Sequence, residues 1–290
     1  MNTAEPVAKL ARPARRTGVR WISRKRGRSA VIVTSGLLVI LVVWHAAVSI
    51  FAIQSYLLPS PIDVVAALWR GVTVPLDSRV SLLYHLGTTL QEAGLGLLTG
   101  GCFGVLLGAW ASSNRVVDGV LSPYVFALQG LPKIAIAPLL MIWFGFGLTT
   151  KALLAAFLVF FPMFVNTYTG LSTVDRDYER LFAGMQATPG QTLRHLRLPS
   201  ASIMIFAGLE IAIVQALLGA IVGEFISAEA GMGMLLKQYQ ALANTAAMFA
   251  ALIILGISGI LLNGLIRLLQ RRVIFWMPDR EQETSAVVSS

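Results

Sequence analysis

Charge is scarce in this chain: Asp, Glu, Lys and Arg together make up 13% of its 290 residues. A soluble domain carries about 25%, so the deficit excludes an ordinary soluble globular protein. Cysteine is nearly absent. Cys102 stands alone within an apolar run, which excludes a disulfide framework and reads as a small residue at a helix interface. Catalytic signatures are missing too, with no HExxH, GxSxG or paired-Asp pattern to suggest an intramembrane enzyme. The five lysines follow Ala8, Arg24, Pro132, Thr150 and Leu236, so none follows a glycine. That excludes a P-loop, where backbone amides and a lysine hold phosphates in GxxxxGK[ST]. His45 and His85 lack metal-ligand spacing, and no metal site is expected.

What remains is apolar. Hydrophobic residues make up 56% of the chain, and the mean hydropathy is +0.73. Runs long enough to cross a bilayer, about 18 residues or more, fall near 30–53, 86–111, 119–143, 150–171, 201–226 and 246–269. The expectation is an all-α polytopic membrane protein with six transmembrane helices. Its segments are a basic tail (1–29), a first helix (30–53), an outer segment (54–85), a permeation core (86–272) and a C-terminal tail (273–290). The first run is too long for a signal-peptide core and has no small-x-small cleavage site, so it is expected to be retained.

The net charge of +9 does not indicate nucleic acid, because nine basic residues crowd into the first 28 positions. Such a run beside a membrane helix fixes topology and meets anionic lipid on the cytoplasmic side. With the N-terminus inside, 18 Lys and Arg fall on cytoplasmic segments and four outside: Arg70, Arg79, Lys151 and Lys237. Lys133 is left within a span. Six spans then put both termini in the cytoplasm.

In the outer segment, Ser60-Pro61 has the form of a helix cap followed by proline at the first turn. Ile62, Val65, Ala66 and Trp69 recur at helical spacing, as in an amphipathic helix lying at the interface. Met232 and Met234, in the second outer segment, read as packing residues. Gly96, Gly100, Gly104 and Gly108 form three overlapping GxxxG patterns, which let another helix backbone approach closely.

One cytoplasmic stretch, "YERLFAGMQATPGQTLRHLRLPSA" (178–201), is charged yet reads as folded. Thr188-Pro189-Gly190-Gln191 is a capping box with proline at the first helical position. The spacing predicts one helix over 175–187 and a second from 189, ended by Pro199. Leu181, Phe182 and Met185 share one apolar face, with Phe182 the expected anchor for a partner and Arg180 at its rim.

In this stretch the chain resembles membrane subunits of ATP-binding-cassette importers, whose loop carries Glu-Ala-Ala, three residues, Gly, nine residues, then Ile-x-Leu-Pro. Aligned on Leu198-Pro199, Leu196 takes the isoleucine place and Gln186 the glycine place. The triplet falls on Arg180, Leu181 and Phe182, with Glu179 one place early, and Gly184 does not restore the spacing. "LLPSPIDVVAALW", residues 131–171 and residues 223–263 resemble permeases for nitrate, sulfonate, taurine and bicarbonate. The resemblance covers roughly residues 57–278. It implies a type I importer permease fold in a bacterial inner membrane, paired with a second copy to form the pore. It also implies two ATPase subunits, which bind ATP and Mg, and a periplasmic or lipid-anchored binding protein that delivers a small anionic solute. On this chain it implies a coupling element at 175–199, in which Glu179, Arg180, Leu181, Phe182, Met185, Gln186, Ala187, Thr188, Pro189 and Gly190 meet the ATPase.

Ionisable groups within spans are functional candidates by default. Lys133 follows Gly130 and Pro132 and precedes Pro138, residues that loosen a helix, and broken helices can line a solute cavity. It either meets an anionic substrate or pairs with Glu92 or Glu210. Gln129 is its expected polar neighbour. Glu210 is a pathway residue or an interhelical partner, and Gln215 stands five residues on, off its face. Glu224 is read as contacting substrate, contacting a docked binding protein, or solvated. A different class, an ion-coupled secondary transporter using Glu92, Lys133 and Glu210, would leave 178–201 unexplained.

Overall fold

The computed structural model describes residues 19–75, 78, 81–227 and 229–276, excluding the side chains of 19–31, 33 and 227. Lys9, Arg12, Arg15, Arg16, Arg79 and Arg280 lie outside the described residues. The chain divides into two units, Met1–Pro61 and Ile62–Ser290.

The first unit holds α1 (Val19–Ile50). Its backbone helix starts well before residue 30, because arginine and lysine are good helix formers and the basic run extends the helix rather than ending it. The apolar part is the shorter stretch Thr34–Ile50. Past its end, the Ile53 N–H reaches back to the Val48 carbonyl at 3.1 Å while Ala52 sits at φ 46°, a left-handed C-terminal cap.

The second unit opens within α2 (Pro61–Thr73), which carries Asp63 in its first turn and Arg70 in its last, both matched to the helix dipole. Its apolar stripe points outward: Ile62, Val65 and Trp69 are each about two-thirds exposed. The opposite face, through Ala67 and Leu68, packs on a core of Leu82, Met232, Leu235 and Ile254. Met232 is fully buried there. Next come α3 (Leu82–Ser113), α4 (Arg115–Gln129), a 3₁₀ turn (Lys133–Ile136), α5 (Ala137–Phe144) and α6 (Leu148–Ser172). The charged stretch is α7 (Arg176–Gly184) and α8 (Pro189–Thr192), and a π turn (Leu193–Arg197) leads into α9 (Leu198–Ser227). The chain then forms α10 (Met232–Ala241) and α11 (Thr245–Val273). Burial pushes the Tyr239 phenol of α10 above its ordinary value.

Among the described residues, α3, α6, the helix through α9 and α11 are long and apolar enough to cross a membrane. The expected span at 119–143 is instead broken: α4 and the 133–144 segment meet at 96°. Pro132 lacks the N–H a continuing helix needs.

Helix α6 lies between α3 and α9, and glycines set both contacts. A Cβ at Gly104 would fall 2.7 Å from the Met163 Cβ, and one at Gly108 would fall 2.8 Å from the Phe164 carbonyl. At Gly100 it would run into the Ala156 backbone. The expected glycine seam thus faces α6. A second seam on α9 was not anticipated: a Cβ at Gly219 would approach the Ala155 Cα to 2.6 Å, and one at Gly208 the Asn166 Cβ to 2.7 Å.

Pro199 does not end the helix. The Leu198 N–H bonds five residues back to the Leu193 carbonyl, and this wide turn admits proline where an α-turn would exclude it. The helix from Pro189 continues to Ile226.

Candidate functional site

The charged element is built from its caps. Asp175 accepts from the Asp177 N–H at 2.9 Å and starts α7. The capping box forms as expected: Thr188 Oγ1 accepts from the Gln191 N–H at 3.3 Å, and Gln191 Oε1 accepts from the Thr188 N–H at 2.8 Å. Between the helices, Gln186 takes φ 56°. It stands at the place where the resemblance sets the loop's glycine, and its backbone takes the left-handed turn that glycine favours. Ala187 follows it, and Pro189 and Gly190 open α8. The Arg197 guanidinium grips Glu179 Oε1 from Nη2 at 2.7 Å and Nε at 2.9 Å, tying α7 to the helix that enters the membrane. Arg180 pairs with Asp177 at 3.2 Å on open surface. Leu181 and Met185 are exposed, at 57% and 70%, and Tyr178 joins them at 58%. Phe182, the expected anchor, is turned partly inward.

The intramembrane candidates are not brought together. Gln129 ends α4 and is exposed, and the bend separates it from Lys133, so the one-turn relation expected between them does not form. Lys133 pairs with neither Glu92 nor Glu210; its Nζ lies 4.8 Å from the Phe161 ring centroid. Glu210 reaches Arg267 at 3.4 Å, the interhelical partnership. Glu92 meets Lys151 at 2.7 Å, both nearly buried. Lys151, which the charge tally placed in an outer segment, is thus held in a buried ion pair. Glu92, Lys133 and Glu210 form no relay.

Two polar sites do form. A groove of about 640 Å³ between α9 and α11 is lined by Ala207, Glu210, Ile211, Val214, Gln215 and Asn263. Glu210 and Gln215 both line it, although five residues on a helix, at 3.6 per turn, are about 140° apart.

The second site is buried. Glu224, 1% exposed, accepts from Thr89 Oγ1 and from the Gly233 N–H, both at 2.6 Å. Thr89 Oγ1 also accepts from the Met232 N–H at 2.9 Å, and His85 Nδ1 accepts from the Gly231 N–H at 2.9 Å. Three side chains thus take the three amides that open α10, which has no side-chain cap of its own. Gly231 sits at φ 117°, and a Cβ there would strike the Glu224 carboxyl. The alternative of a solvated Glu224 is set aside by this burial.

Sequence reading missed His85, Thr89, Lys151, Asn263 and Arg267 as partners. One signal was present: His85, Thr89 and Glu92 fall at i, i+4 and i+7, a polar stripe on one helix face that continues into Gly96 and Gly100.

Glycine-seamed helices, a broken span and a capped charged element leading into α9 define a multi-pass membrane protein. Residues 100–275 match the family described as "Binding-protein-dependent transport system inner membrane component", and the chain belongs to it. It is 34% identical over 253 residues to a formylaminopyrimidine transport permease protein of Halalkalibacterium halodurans, covering 87% of this chain and 98% of that one. It is 28% identical over 263 residues to a taurine transport system permease protein of Escherichia coli, covering 91% and 94%. Among solved structures, an inward-facing MetNI methionine ABC transporter aligns with TM-score 0.53 and 22% identity, covering 72% of this chain and 96% of that one. The fold is that of type I importer permeases, and the protein is the permease subunit of an ABC importer.

Proposed function

We propose that two copies of this chain form the solute pathway in a bacterial inner membrane, with both termini in the cytoplasm. Residues 57–84 and 228–244 then face outward, toward a binding protein that delivers the solute. Two separate ATPase subunits bind ATP and Mg, hydrolyse the ATP and dock on 176–197, while membrane lipid covers the outer apolar faces. The relatives named for formylaminopyrimidine and taurine set the range of small polar solutes. Within it, Lys133 favours an anion such as a sulfonate.

The observation that carries this reading is the cytoplasmic element itself. Its two caps and the Glu179–Arg197 bridge make it rigid, and it is continuous with α9, so a push on it is passed into the membrane. Tyr178, Leu181 and Met185 leave an apolar face that a partner is needed to cover. The groove with Glu210, Gln215 and Asn263 is the stretch of pathway that each copy contributes.

Co-expression with the ATPase and binding protein tests the reading. Tyr178→Ala with Met185→Ala should release the ATPase on purification, or leave it hydrolysing ATP without uptake, while membrane insertion is unchanged. Full uptake and full ATPase retention in that double variant would refute the docking role.

A further inference from the structure

The groove between α9 and α11 sets three polar side chains, Glu210, Gln215 and Asn263, in an otherwise apolar wall. Among the described residues, none of these side chains makes a hydrogen bond to the protein. Polar groups on helices apolar enough to cross a membrane normally bond across to a neighbouring helix, and these do not. The Asn263 Oδ1 is closed off from water and has no donor, so no protein hydrogen bond opposes turning its carboxamide into the groove. Gln215 stands in the same wall with its donor and its acceptor both unused.

Glu210 gives the groove its charge. Its contact with Arg267 is single and long, 3.4 Å, and the Arg267 side chain is 66% exposed and no part of the wall. An ion-pair clamp in this protein looks different: Arg197 closes on Glu179 from two nitrogens, at 2.7 and 2.9 Å. Glu210 is therefore the charged residue lining the groove, and its Oε2 meets no donor among the described residues. A carboxylate only accepts hydrogen bonds, and its charge attracts a cation and repels an anion. Such a wall suits the amino end of a solute, not its acidic end.

We infer that this groove binds an N–H-bearing group of the solute, a primary ammonium or an aminated ring, through Glu210, with Gln215 and Asn263 as further partners. The inference rests on the reading of the groove as part of the solute pathway and adds the solute's chemical class to it. Ile211 and Val214 supply apolar wall for the solute's carbon frame. An acid drawn by Lys133 and held here by its amino group is a zwitterion or an amino-substituted ring acid. Anions without an N–H donor are disfavoured at this groove.

Thiol-labelling rates read the preference without the natural solute. Val214→Cys, one helical turn from Glu210, is made in a Cys102→Ala background and assembled with the ATPase in lipid nanodiscs. Aminoethyl, trimethylammonioethyl and sulfonatoethyl methanethiosulfonates are compared, each rate divided by its rate with free mercaptoethanol. The aminoethyl reagent should react about tenfold faster than the sulfonatoethyl one. It should also be severalfold faster than the trimethylammonium reagent, which has the charge without the N–H. Glu210→Gln should remove most of both preferences, whereas Arg267→Gln, which leaves the carboxylate unpaired, should increase the first. Should Glu210→Gln fail to assemble, the Arg267→Gln rates decide. A sulfonatoethyl rate equal to the aminoethyl rate or above it would overturn the inference and leave the groove a pathway. Ratios unchanged in both variants would leave reagent size as their cause and overturn it as well. No labelling by any of the three would contradict the pathway reading itself, and the inference with it.

Discussion

Gln186 holds a left-handed turn at φ 56°, where a side chain other than glycine costs roughly 1–2 kcal/mol. Gln186→Gly should therefore raise the unfolding free energy of the element by about 1 kcal/mol, after allowing for glycine's extra unfolded-state entropy. Hydrogen exchange of the 187–192 amides would show it as slower opening, and faster opening would contradict it. Lys133 is a different case, since among the described residues its ammonium meets a ring face. Lys133→Met should slow uptake of an anionic solute while leaving assembly intact, as measured by transport and gel filtration. Single residues were the least legible part of the sequence. Lys151 follows a glycine-rich turn and reads as a loop cation, yet it begins α6 and is buried against Glu92. Which carboxylate a lysine finds depends on how helices pack, and no local pattern records that.

Helices were more legible, because caps and apolar runs act locally. Thr188, Pro189 and Gln191 placed the start of α8 correctly, and the glycines of α3 announced a packing seam. The errors came where local rules met a wider turn or a bend. Pro199 breaks an α-helix but not one that first widens through Leu193–Arg197. Seam glycines differ sharply from their neighbours, which gives an internal control. Gly100→Ala puts a methyl into the Ala156 backbone and should separate α3 from α6, lowering the thermal midpoint and the yield of folded protein. Gly101→Ala meets nothing within 4 Å and should be neutral, or stabilising by up to about 1 kcal/mol from helix propensity. Equal effects of the two variants on the thermal midpoint would contradict the seam.

For the whole molecule, hydropathy identified a multi-pass membrane protein, and the charged element between two apolar runs separated an ATP-driven importer from a self-sufficient transporter. The site was only half visible. Glu210, Gln215 and Glu224 were singled out, but their separation into an open groove and a buried polar cluster follows from tertiary packing. The central claim is that the element at 176–197 lies in the cytoplasm and is covered there by an ATPase. The most direct measurement is labelling of Met185→Cys, in a Cys102→Ala background, with a membrane-impermeant maleimide. Intact cells should give no labelling, permeabilised cells should give full labelling, and co-expression of the ATPase should protect the thiol. Labelling in intact cells, or no protection by the ATPase, would contradict the claim.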